Sequence, residues 1–230
     1  MKVKSLRNTI LVHFKFRRPI FEWQGVPGQF FDSLYRTLTP RFVVNAADFS
    51  THWGASLNDM QAKYAIFGGA SHVTLAADRL MVEFWNIAPG ENKLALEIMQ
   101  LVDKAMSSSL PETEINSISL RSSEHVEVTD GTDISSYLTK FDHPSVKAAF
   151  SSLDAIVEPS GRFITKATNQ SWDCSCMIER SLMTSNGFFI QMDINLYNLP
   201  KPSTFEDRMR QAARISKACS ASLDMEITNA

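Results

Sequence analysis

His125 and Glu127 stand two positions apart, a spacing that puts both side chains on one face of a strand, and Asp130 and Asp133 follow closely. Histidine with carboxylates can bind a divalent metal or perform acid–base chemistry, so a metal-assisted hydrolysis by His125, Glu127 and Asp130 is one reading. The rest of such a centre is missing. HExxH is absent, and Asp130-Gly131-Thr132-Asp133 lacks the alternating oxygen ligands and terminal glutamate of a calcium loop. A solvated strand edge and a turn account for the same residues. Asp142-His143 precedes Pro144, where Asp142 is placed to accept first-turn N–H groups of a helix. Cys174 and Cys176 also share a strand face, and they bind a soft metal only if other groups converge on them; otherwise they are buried, reduced thiols. Neither a Gly-x-Ser-x-Gly elbow nor a glycine-rich phosphate loop occurs. The sequence thus leads to an expectation of no catalytic residue, no cofactor and no resident metal.

Charge gives the best binding signal. The net charge is −2, but residues 1–41 carry eight Lys and Arg against two acids, residues 42–160 carry seven against sixteen, and the remainder is nearly balanced. Lys15, Arg17, Arg18, Arg36 and Arg41 form a candidate set for an anionic partner, and together they could neutralise several phosphates. The same asymmetry could orient self-association, the basic stretch of one copy facing the acidic stretch of another. A pair of ordinary solvated faces is the plainer reading. Against nucleic acid stand a pI near 6.2 and the absence of RRM, KH or zinc-finger patterns.

The elements that must position these residues follow from periodicity. Ile10, Val12, Phe14 and Phe16 alternate with Leu11, His13, Lys15 and Arg17, which predicts a strand with one buried face. Phe30, Phe31, Leu34, Tyr35 and Leu38 recur at helical spacing until Pro40. Strands are expected over 41–49, 61–67, 72–77 and 80–87, and then a helix over 91–106. The second part reads similarly. A strand or bent hairpin spans 115–120 and 125–128, a short helix 145–153, and three strands follow over 155–168, 171–183 and 188–197. Asn186-Gly187 is a hairpin signal, and Ser203 to Glu206 has the composition of a capping box ahead of the last helix. Residues 223–230 are expected to fray.

The expected fold class is α+β: a curved antiparallel sheet with helices packed on one face. The order suggests two duplicated strand–helix–meander–helix halves, 1–110 and 111–230, forming one compact unit, although no residue-level repeat accompanies it. Such an architecture leaves the other sheet face free for a partner, with Trp23, Trp53, Trp85 and Trp172 the largest side chains on hand and each expected in the core first.

The stretch HVTLAADRLMVEFWNI (72–87), the helix ENKLALEIMQLVDKAM and the strand EINSISLRSSEHVEV (114–128) resemble a sporadically distributed family of uncharacterised bacterial proteins. Members share a strand hairpin, a helix and a strand reading leucine-arginine-tyrosine-isoleucine-asparagine. This chain keeps Leu120 and Arg121 but has Ser122, Ser123 and Glu124 in the last three places. The resemblance implies an α+β fold and an origin in mobile or defence-associated genomic islands, and it brings no established activity.

Composition fixes the class more firmly than the function. With 44% hydrophobic and 21% charged residues over 230 positions, the chain can bury a sizeable core without disulfides or metal. Three cysteines without a CxxC pair fit a reducing, cytoplasmic setting, and no apolar run approaches the ~20 residues of a membrane helix. The leading functional expectation is a non-enzymatic protein-binding or assembly module that associates with itself or with a companion protein. A nucleic-acid-binding accessory protein using the basic N-terminal third is the alternative, and the metal-dependent hydrolase comes third.

Overall fold

β1 (Lys2–Phe16) buries Val12, Phe14 and Phe16 in alternation with a polar set, a period-two pattern that commits it to a sheet with one protected face, and a register shift between Ser5 and Arg7 brings Val3 onto that same face. The computed structural model describes residues 1–54, 56–88, 90–142, 144, 160–197 and 204–228. α1 (Val26–Leu38) starts with Pro27 in its first turn and buries Phe30, Phe31, Leu34 and Leu38. A four-stranded meander follows: β2 (Phe49–His52), β3 (Gln61–Ile66), β4 (Ser71–Ala76) and β5 (Arg79–Ile87). α2 (Asn92–Ser109) then leads into β6 (Ile115–Val128) and a one-turn helix, α3 (Ile134–Leu138), capped by the Asp133 carboxylate. β7 (Gly161–Lys166), β8 (Trp172–Arg180) and β9 (Gly187–Tyr197) form a second meander, followed by α4 (Phe205–Ser222) and β10 (Glu226–Thr228).

Nine of the described strands make one open antiparallel sheet in the order β2-β3-β4-β5-β1-β6-β9-β8-β7, and β10 runs parallel to the start of β1. β1 and β6 are therefore the central pair. Val12 lies opposite Val82 on one side and Leu120 on the other, so a single face carries Tyr64, Val73, Val82, Val12, Leu120 and Ile194 across the sheet. Phe31 of α1 touches Tyr64, Phe205 of α4 touches Phe14, and Tyr137 of α3 touches Phe188. These ring contacts tie helices to that face and close the core.

Several expectations change. The strand predicted over 41–49 lies instead at 49–52; Asn45 caps a 3-10 turn over Ala46–Asp48, and Val43 is 97% exposed. Of the strand or bent hairpin expected over 115–120 and 125–128, the strand forms and runs on through 121–124, because β1 and β9 pair with it from both sides and hold its polar middle extended. The capping box is set one residue later, between Thr204 and Asp207. Gly187 is the first residue of β9 rather than a turn residue, and a Cβ there would collide with the Val126 carbonyl oxygen. The tail does not simply fray: the Glu226 N–H donates to Met1 O at 2.9 Å and Tyr137 donates to Leu223 O at 2.6 Å. The helix expected over 145–153 lies outside the described residues, as does Ser203.

Candidate functional site

The two faces of the sheet carry different chemistry. On the face opposite Val12, β1 presents Lys2, Lys4, Arg7 and Lys15, which are all of its charged residues, together with Leu11 and His13. β8 and β9 present Asp173, Glu179 and Asp193 on that same face. Hydrogen bonds run across the strands: Ser119 donates to Asn195 at 2.7 Å, Asn195 to Asp173 at 2.8 Å and Tyr197 to Asp173 at 2.9 Å. Arg121 pairs with Asp193, which also accepts from Gln191. His13, His72 and His125 lie on this face too, and burial lowers each below the ordinary histidine value. The result is a polar surface with side chains already held in place and both signs of charge.

The five basic residues singled out from sequence do not act as one cluster. Arg17 pairs with Glu114 at 3.0 Å, Arg36 with Asp32 at 2.9 Å, and Arg41 with Glu97. Lys15 is on the polar sheet face, and Arg18 lines a cleft of about 820 Å³ with Arg17 and Glu114 at the end of β1. Glu97 and Glu114 belong to the acidic middle of the chain. Arg17 and Arg41 thus pair with the acidic middle within one molecule.

The histidine–carboxylate group disperses as well. The His125 Nδ1 contacts Ser181 Oγ at 3.0 Å and its ring packs on Phe189. Asp130 accepts from Thr132 and from the Lys2 N–H, and these bonds draw its carboxyl down to about 2. Asp133 caps α3 and is likewise lowered, first by Ser136. Both carboxylates are therefore committed to backbone and hydroxyl groups, and among the described residues no set of three or more His, Cys, Asp and Glu is placed to hold a metal. Asp142 ends the short turn after α3, and His143 lies outside the described residues.

Cys174 and Cys176 are joined by Cys219 of α4. All three are buried and free, with Cys174 and Cys219 in thiol contact at 3.3 Å. Burial pushes the Cys174 thiol up and Cys176 to about 12, so neither supplies thiolate at neutral pH. Of the tryptophans, Trp23 is core, Trp172 is half-buried beside Phe163, and Trp53 and Trp85 are exposed at 58% and 46%.

A further polar group lies where the sheet should be apolar. On the Val12 face of the central pair, Asn8 stands opposite Glu124 and Ile10 opposite Ser122, while Ser5 donates to Glu124. Ser122 donates to Asn8 Oδ1 at 3.1 Å, and Asn8 Nδ2 reaches Asn92 Oδ1 of α2 at 3.5 Å. Burial pushes the Glu124 carboxyl above its ordinary range, with the Ser5 hydroxyl opposing. Sequence reading missed this cluster, though polar residues falling in phase with Ile10, Val12 and Leu120 were its visible signal.

No protein-family model matches the chain, and no curated protein matches it either. Among the described residues no helix is long and apolar enough to cross a membrane.

Proposed function

We propose that the protein is a non-enzymatic binding and assembly module whose polar sheet face is its docking surface, and that this face is open because the four described helices share the Val12 face. The ring contacts Phe31–Tyr64, Phe14–Phe205 and Tyr137–Phe188 support that placement, since all three sheet partners lie on one face. We also infer two duplicated halves. The order β1-β5-β4-β3 on one side of the central seam mirrors β6-β9-β8-β7 on the other.

The observation that carries the reading is the fixed arrangement of both charge signs on the polar face. On this face β6, with Arg121 and Glu127, separates the basic residues of β1 from the acidic residues of β8 and β9, so a second copy turned about a two-fold axis can set the basic side of one copy against the acidic side of the other. A polyanion would meet Asp173, Glu179 and Asp193 as repulsion, which favours a protein over nucleic acid. A companion protein of matching charge pattern is the neighbouring possibility.

The test is size-exclusion chromatography with light scattering on protein from its own host, with absorbance at 260 and 280 nm across the peak. A defined dimer or heteromer with a protein-like ratio, weakened by K15E, supports the assembly role. A strict monomer at tens of micromolar without a companion overturns it. A nucleic-acid-like ratio that collapses in high salt turns the assignment to the alternative.

A further inference from the structure

The helix-covered face holds a groove, separate from the polar docking face, between α2 and α4. Its volume is about 590 Å³, within the range of small-molecule pockets. Ile10 and Leu120 form an apolar floor, and Leu96, Phe205 and Met209 form walls. At one end the floor becomes polar, where Asn8, Ser122 and Asn92 meet.

An interface between helices and a sheet gains most from apolar side chains, and uncharged polar groups buried there cost free energy unless fully bonded. Asn8 is 9% exposed, yet its amide N–H reaches Asn92 only at 3.5 Å, the outer limit of a hydrogen bond. That donor has room for a better acceptor. The three polar side chains lining this end are amides and a hydroxyl, which donate and accept without carrying charge. The charged residues of the groove, Glu206 and Arg210, pair with each other at 3.1 Å. Glu124, next to this end, is 9% exposed, and burial pushes its carboxyl above its ordinary range against the opposing Ser5 hydrogen bond.

We propose that this groove binds a small amphipathic molecule with an apolar body and an uncharged head that both donates and accepts hydrogen bonds, as a primary carboxamide does. The head meets Asn8, Ser122 and Asn92, while the body lies along Ile10, Leu120 and Met209.

Isothermal titration calorimetry of the full chain with octanamide, octanoate and octylammonium separates head from body. Octanamide is expected to bind at least about tenfold more tightly than either ion, a difference of about 1.4 kcal/mol. A213W, built on an exposed α4 position that lines the groove, should abolish that binding at an unchanged melting temperature. S122A should weaken it. Absent octanamide binding, equal affinity for the three probes, or binding that survives A213W would each overturn the proposal, whether or not the polar face assembles.

Discussion

The two faces of the sheet solve the same problem in opposite ways. The Val12 face is held by burial: Val12, Phe14, Ile118, Val126 and Ile194 are almost fully covered, and their contribution scales with the apolar area taken from water. The face carrying His13 is held by side-chain bonds between neighbouring strands, each worth little net because water competes for the same groups. Stability is thus concentrated on one side, which leaves the other side free to carry polar groups. The seam cluster of Asn8, Ser122 and Glu124 departs from this division, since it puts polar groups on the side where they cost most.

The strongest attempt to break the comparison is F14A. Phe14 is 1% exposed and packs on Phe205 at 6.3 Å, so the substitution is expected to cost about 3–5 kcal/mol in urea denaturation. A loss below about 1 kcal/mol would mean that the Val12 face is not the main source of stability. Next in size, E124Q removes a buried ionisable group and should stabilise the protein by about 1 kcal/mol at pH 7. The sign follows from its raised value. The folded state favours protonated Glu124, so this stability is present below pH 4.5 and is lost as pH rises through the folded value; the advantage of E124Q should vanish below pH 4.5.

The three histidines of the other face act in the opposite sense. Their lowered values mean that the unfolded chain takes up protons first, so stability is fully present above pH 6.5 and falls as pH drops through the folded values. Urea midpoints measured from pH 7.5 down to 5.5 should decline, and H13N should flatten part of the slope. S119A is smallest, expected to cost about 0.5–1 kcal/mol by the same denaturation assay. A cost as large as that of F14A would erase the distinction between the faces.

How much of this was legible in sequence depends on whether burial left a period. β3, β8, β1 from Ile10 onward and β5 up to Phe84 alternate cleanly because one side of each is covered, and both long helices show their apolar stripes for the same reason. β6 did not read as continuous, since Arg121 to Glu124 has no apolar alternation and is kept extended by partners distant in the chain. β10 is three residues long and exists only because the start of β1 is beside it. The seam cluster was hidden differently: Asn8 and Ser122 are 114 positions apart, and only strand pairing joins them. Likewise, spacing within residues 1–41 shows Arg17 and Arg41 as basic, but not that Glu114 and Glu97 wait opposite.

The place of β1 in the sheet also bears on biosynthesis. As the chain leaves the ribosome, β1 emerges well before its sheet neighbours β5, β6 and β10. Until β6 is complete, one side of a fifteen-residue strand rich in apolar residues stays unpaired, the kind of edge that captures strands from other nascent chains. Lys2, Lys4, Arg7 and Lys15 give every such exposed copy the same sign of charge, so mutual repulsion can hold nascent chains apart until the proper partner is synthesised.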